Sequence, residues 1–86
     1  MITDEQFRRI LWHSRRGMLE LDVLLVPFAH EAFPLLSEEE QQLYIQFIAH
    51  EDTDLFCWLL EHEQPEPVYL DIIKKIRAHA AKQQQH

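Results

Sequence analysis

Six histidines are the residues of this 86-residue chain best suited to metal binding or acid–base chemistry. No two of them lie four positions apart on one predicted helix, the spacing that lets two imidazoles share a metal ion. This spacing favours solvent-exposed or helix-capping histidines over ligands, so we predict no metal site. The histidines concerned are His13, His30, His50, His62, His79 and His86.

The serines and the single cysteine give no better support for nucleophilic catalysis. Ser37 is explained as the N-cap of a helix, and Ser14 cannot pair with His13 because adjacent helical residues point apart. Cys57 lies beside an apolar stripe, which favours a small buried hydrophobic residue over a reactive thiol. A chain of this length also leaves little volume for a substrate cleft. We therefore predict that the protein is not an enzyme and holds no cofactor of its own.

The most unusual segment is Arg-Arg-Gly-Met-Leu-Glu-Leu-Asp, over residues 15–22. A structural interpretation explains it well, because cations suit the end of one helix, glycine suits a turn, and carboxylates suit the start of the next helix. In a functional interpretation, a rigid turn presents the guanidinium of Arg16 and the carboxylate of Glu20, both exposed, to a partner protein. The candidate partner-binding residues are Arg15, Arg16, Gly17, Met18, Glu20 and Asp22.

Capping signals and apolar spacing predict the helices that position this segment. The first helix opens at Thr3, with Gln6 completing a capping box, and it stops at Gly17, which adopts a positive φ at little cost. The second helix covers about residues 19–32 and should be kinked by Pro27. Its apolar residues lie on several faces, so we expect it to be central and buried on most sides.

Three further helices follow in the second half of the chain. The third begins after Ser37, with Glu40 as its capping-box partner. The fourth follows Asp52, which we expect to be its N-cap, and the fifth begins at Pro67. Trp58 on the fourth helix either packs under a neighbouring segment or forms an exposed interface anchor, and we favour packing.

Together these segments predict an all-α fold, a compact five-helix bundle. It should form a single domain over residues 1–82, followed by a disordered tail over residues 83–86. Hydrophobic residues make up 47% of the chain, with one glycine and four prolines, which argues against a turn-rich β fold and against disorder.

The charge balance limits the partners that the protein can have. Eight basic residues stand against 15 acidic ones, a formal net charge of −7. An anionic surface repels phosphate, so nucleic acids and anionic membranes are poor partners and a basic protein surface is a better one. The longest apolar stretch, residues 23–29, is far too short to cross a membrane, and we see no signal peptide. We expect a cytoplasmic protein that is monomeric when free.

The segment that contains Arg16, Gly17 and Glu20 resembles the RGxxE signature of the SdhE (YgfY) family, which are succinate dehydrogenase assembly factors. Residues 27–28, 36–40 and 52–59 follow in the family's order. The resemblance implies a five-helix fold and a chaperone-like role. Family members bind the flavoprotein subunit of succinate dehydrogenase, and often of fumarate reductase, and promote covalent attachment of FAD to a histidine of that subunit. The alternative is an antitoxin-like module of a toxin–antitoxin pair, a label that some relatives have received.

Overall fold

The computed structural model describes residues 2–83 and is helical throughout its regular structure. Among these residues there are five α-helices, two short 3₁₀ turns and no strand, which confirms the predicted all-α five-helix fold. None of the helices in this part of the chain is long and apolar enough to cross a membrane. In chain order the helices are α1 (Asp4–Ser14), α2 (Leu19–Glu31), α3 (Glu38–Ile48), α4 (Asp52–Leu59) and α5 (Leu70–Gln83).

Both predicted capping boxes are present. At the start of α1 the Gln6 amide N–H donates to the Thr3 hydroxyl at 3.1 Å, and the Thr3 N–H donates to the Gln6 side chain at 2.9 Å. Ser37 and Glu40 make the same pair of bonds at the start of α3. The Ser37 backbone N–H and the nearby Lys75 ammonium hold the pKa of the Glu40 carboxyl below its ordinary value. These reciprocal bonds satisfy N–H groups that the helix itself cannot pair.

The start of α4 differs from the prediction. Asp52, expected as the N-cap, is the first helical residue, and Glu51 takes the cap position without a side-chain cap bond. The Asp52 carboxylate instead accepts a hydrogen bond from Arg16, which lies 36 positions earlier. A carboxylate in the first turn is still favourable, because the helix dipole is positive there.

The fifth helix also starts and ends differently from the prediction. Pro67 opens a 3₁₀ turn, Pro67–Tyr69, and α5 begins after it at Leu70. At the other end, Gln83 is helical and its side-chain amide donates to Glu31 at 2.6 Å. The expected tail therefore does not include residue 83, and residues 84–86 lie outside the described part of the chain.

The core forms on one side of α2, where Leu21, Leu25, Phe28 and Ala29 are almost completely shielded from solvent. The outer side of α2 is exposed, so the expectation that this helix is buried on most sides is wrong. Other helices close the core with large side chains, which include Tyr44, Phe47, Ile48, Leu55, Leu59, Ile72 and Ile76.

The packing of Trp58 is confirmed. Its indole is buried against Phe47, His50 and Tyr69, with ring centroids 5.0 to 6.2 Å apart. Cys57 beside it, expected to be buried, is only half-buried.

Candidate partner-binding site

The turn between α1 and α2 is built around the single glycine. Arg15 ends α1, and its N–H donates to the Trp12 carbonyl at 3.2 Å. Gly17 follows with φ of +81°, the left-handed region that a residue with a Cβ rarely occupies. Met18 then serves as the N-cap of α2, and its carbonyl accepts the N–H of Asp22 at 2.9 Å. The predicted position of Gly17 in this turn is confirmed.

Arg16 lies in the centre of the turn and points into the protein. Its Nε donates to Asp52 Oδ1 at 2.7 Å, and its Nη1 donates to the carbonyls of His13 at 2.9 Å and Ile48 at 2.8 Å. Its Nη2 donates to the His50 carbonyl at 2.9 Å. Only 12% of the side chain is exposed. We call Arg16 and these four acceptor residues the Arg16 network.

The Arg16 network joins two turns that are distant in sequence. The carbonyls that it binds lie at or just beyond the ends of α1 and α3, where no further helical N–H follows to pair with them. Four of the five guanidinium N–H groups are used inside the chain. The prediction that Arg16 is exposed is therefore wrong, since only 12% of its side chain is accessible, whereas its contact with a partner stays a prediction. Carbonyls at the helix ends and the Asp52 carboxylate already occupy most of the N–H donors of its planar guanidinium.

Two more of the six candidate residues also serve the turn itself. Asp22 is half-buried, and its Oδ1 accepts the backbone N–H of Arg16 at 2.8 Å. Met18 is half-buried and packs against the hydrophobic core. These contacts hold both ends of the turn, so Asp22 and Met18 restrict how the turn can move.

The remaining three candidates face solvent. Arg15, Gly17 and Glu20 are all exposed, which confirms the expectation for Glu20. A Cβ built on Gly17 would meet no atom within 4 Å, so the space above the turn is open. Open space over a glycine lets another backbone approach closely. The turn therefore presents to solvent the Arg15 guanidinium, the backbone of Gly17 and the Glu20 carboxylate. Contacts of Arg16, Met18 and Asp22 with the rest of the protein hold the turn in place.

A polar pair that the sequence analysis missed lies in the core beneath this turn. The Ser14 hydroxyl is completely buried, bonds to the Ile10 carbonyl at 2.8 Å and pairs with the Tyr44 hydroxyl at 2.7 Å. Burial raises the pKa of Tyr44 to about 12, while the Ser14 bond and the charge of Arg16 act in the opposite direction. The available signal was Ser14's place four residues after the buried Ile10, on the core side of α1.

An aromatic cluster supports the other end of the Arg16 network. His50, whose carbonyl accepts from Arg16, places its Nε2 3.0 Å from the Tyr69 hydroxyl and its ring against Trp58. Burial, and secondarily the nearby Glu66 carboxylate, raises the pKa of Tyr69 above its ordinary value. His50 is half-buried, so the expectation of an exposed or capping histidine is wrong here. Its ring packs against both Trp58 and Tyr69, with ring centroids 5.0 and 5.3 Å apart.

His79 is the second histidine that departs from this expectation. It is half-buried on α5, with its ring edge-on to Phe28 and its Nε2 3.2 Å from Glu31 Oε1. Within residues 2–83 there is no group of three or more histidine, cysteine, aspartate or glutamate side chains arranged to hold a metal ion.

An open cleft of ≈ 590 Å³ lies between α5 and the loop that precedes it. Its charged lining is balanced, since Glu61 and Glu63 stand against Lys74 and Arg77, and Arg77 pairs with Glu61. A pyrophosphate such as that of FAD is held by surplus positive charge or by a glycine-rich backbone cradle. This lining offers neither of them.

Comparison with known proteins identifies the family. Residues 8–80 match the family model described as flavinator of succinate dehydrogenase. The chain belongs to this family. The match spans the α1–α2 turn and every residue of the Arg16 network. It confirms the resemblance found in the sequence.

Curated relatives of this flavinator family cover nearly the whole chain. The FAD assembly factor SdhE of Pseudomonas putida is 45% identical over 76 residues, 88% of this chain and 90% of the relative. The FAD assembly factor SdhE of Vibrio vulnificus is 44% identical over 80 residues, 92% of this chain and 93% of the relative. Neither relative's name refers to a toxin–antitoxin pair, and the antitoxin alternative is not supported.

Proposed function

We propose that this protein is a FAD assembly factor that binds the flavoprotein subunit of succinate dehydrogenase and promotes covalent attachment of FAD to it. Membership of the flavinator family carries the proposal, since the match extends over residues 8–80. The relatives named as FAD assembly factors support it at 44% and 45% identity over most of their length.

In this proposal the protein acts by positioning and not by chemistry of its own. The reacting groups, a histidine and the flavin, belong to the client and its bound FAD. Holding two reacting groups together can lower a barrier by several kcal/mol, up to about 7–11 kcal/mol in well-oriented cases. A binding protein can bias its client only by the difference between its affinities for the client's two conformations. The expected effect is therefore a faster reaction, which long incubation with FAD partly replaces.

The exposure of the six candidate residues supports two proposed roles. Arg15, Gly17 and Glu20 face solvent and are proposed to contact the flavoprotein, while Arg16, Met18 and Asp22 hold the turn that presents them. A surface held before binding pays less ordering entropy when the complex forms. Arg16 is therefore a positioning residue in this proposal, although it belongs to the RGxxE signature.

Three finer points belong to the same proposal. The fumarate reductase flavoprotein is a second client, the free protein is a monomer, and the complex forms in the cytoplasm. The net charge of −7 supports the monomer, because copies with this charge repel one another.

The decisive experiment measures covalent flavin on the client. Cells with and without this gene are compared by in-gel flavin fluorescence of the succinate dehydrogenase flavoprotein, normalised to the amount of that subunit. Loss of the gene should lower the fluorescence while leaving the subunit present, and the wild-type gene should restore it. Equal fluorescence with and without the gene would reject the proposed function.

A matched pair of variants then tests the exposed residues. Glu20 and Glu39 are both exposed carboxylates at the second position of a helix, in α2 and α3. Glu20→Ala should weaken restoration of the flavin signal, whereas Glu39→Ala should restore it fully. Both variants should melt within a few degrees of the wild type, because exposed charges contribute only about 0–1 kcal/mol. If both variants restore the signal equally, Glu20 is not part of the contact.

A further inference from the structure

The outer side of α2 carries an exposed apolar surface. Leu19 is 73% exposed and Val23 is 55% exposed, and they lie four residues apart, on one face of the helix. Val26 and Pro27, half-buried, continue this face through the next turn. We call these four residues the α2 stripe. Large apolar side chains on a helix are normally buried, yet within the described residues Leu19 and Val23 are exposed and Val26 and Pro27 are only partly covered.

The α2 stripe is continuous with the candidate partner-binding site. Leu19, its first residue, stands directly before Glu20 and two residues after the exposed Gly17. The stripe therefore extends the turn surface along the helix, so that one partner can contact both. Leu19 belongs to the RGxxE segment but was not among the residues singled out from the sequence.

Negative charge borders the stripe. Glu20 and Glu31 are exposed and eleven residues apart, which places them within about 20° of each other around the helix axis, along one edge of the stripe. Pro27 also lacks an N–H, so the Val23 carbonyl has no helical donor four residues on. Two exposed carboxylates along the edge of an apolar surface fit a partner that offers an apolar patch edged by lysine or arginine side chains.

A second copy of this chain fits the stripe poorly. Symmetric pairing through α2 would bring the same acidic edges together, in molecules that each carry a net charge of −7. Like charges placed side by side across an interface oppose association. The charge pattern thus selects a different protein.

We infer that the α2 stripe is the apolar part of the docking surface for the succinate dehydrogenase flavoprotein, which would meet it with an apolar patch bordered by cationic side chains. The inference rests on the proposed function, since that function supplies the occupant. It extends along α2 a contact that the sequence placed within residues 15–22. It also requires that affinity for the client depend on exposed apolar area as well as on charge.

Two valines give a matched test. Val23 on the stripe and Val68 in the 3₁₀ turn before α5 are exposed to nearly the same extent, 55% and 57%. Val23→Lys should weaken binding of the purified flavoprotein subunit by about tenfold or more, equivalent to about 1.4 kcal/mol. Val68→Lys should change the Kd by no more than about twofold. Lysine is a strong helix former, so Val23→Lys should fold, which thermal melting checks.

The outcomes separate the inference from the proposed function. If the wild type binds the flavoprotein and the two variants bind it equally well, the stripe is not a docking surface and the proposed function stands. If the wild type does not bind the flavoprotein, both the inference and the proposed function are wrong. Analytical ultracentrifugation tests whether a second copy of the chain covers the stripe. If the wild type is a dimer and Val23→Lys is a monomer, the stripe is a dimer interface and the inference is wrong.

Discussion

Removing the Arg16 side chain should destabilise the protein, whereas removing its neighbour Arg15 should not. Arg16→Ala deletes four hydrogen bonds at 2.7 to 2.9 Å and leaves three carbonyls and the Asp52 carboxylate without this partner. Arg15 stands next to it in sequence with an exposed side chain. The two variants therefore compare the same residue type in two settings, since the Arg16 side chain is mostly buried and hydrogen-bonded and the Arg15 side chain is in solvent.

The size of the loss follows from the contacts. Each bond to a carbonyl contributes about 0.5–1.5 kcal/mol net. The ion pair adds about 0–1 kcal/mol, because 41% of the Asp52 side chain is exposed and solvent screens it. Water can rehydrate part of the freed carbonyls, so the expected total is roughly 2–4 kcal/mol. At about 4–8 °C per kcal/mol for a domain of this size, the Tm should fall by at least about 8 °C.

Thermal and urea unfolding followed by circular dichroism measure this difference. Arg16→Lys should recover little of the loss, since a single ammonium cannot reach acceptors that a planar fork holds in fixed directions. Arg15→Ala should stay within about 0.5 kcal/mol of the wild type. The reasoning would be refuted if Arg16→Ala unfolded at the same temperature and urea concentration as Arg15→Ala.

Two further predictions concern stability at other residues. Glu61 follows α4 with φ of +62°, and the next N–H, that of His62, donates to the Cys57 carbonyl at the helix end. Because glycine adopts a positive φ without strain, Glu61→Gly should raise the free energy of unfolding in urea by about 1 kcal/mol. A lower free energy of unfolding for Glu61→Gly would show that the Glu61–Arg77 ion pair outweighs the backbone strain. The pKa of Tyr44, raised from an ordinary value of 10.0 to about 12, means that the folded state favours the neutral phenol. This contribution is fully present below pH 10 and is lost as the pH rises towards 12. Tyr44→Phe should accordingly cost about 1 kcal/mol at neutral pH, with a difference from wild type that shrinks above pH 10; a difference independent of pH would contradict the assigned shift.

Local signals in the sequence were enough to predict most of the helices. The two capping boxes depend on residues three positions apart, and the left-handed turn depends on one glycine, so both can be read without knowing the rest of the fold. The Glu51 cap and the 3₁₀ turn at Pro67 were missed. The same residues can begin a helix in several ways that differ by one or two positions, and tertiary contacts select one of them.

The sequence by itself determined the all-α architecture, the turn at Gly17, the anionic character of the surface and the family motif, because each depends on composition or on neighbours along the chain. Only the tertiary structure decided what Arg16 does. Its acceptors at Ile48, His50 and Asp52 lie 32 to 36 positions away, and a guanidinium has the same sequence pattern whether it meets solvent or the end of another helix. The exposure of the α2 stripe was decided in the same way, because an apolar helix shows from its sequence that it can be buried, but only its neighbours determine which side is left uncovered.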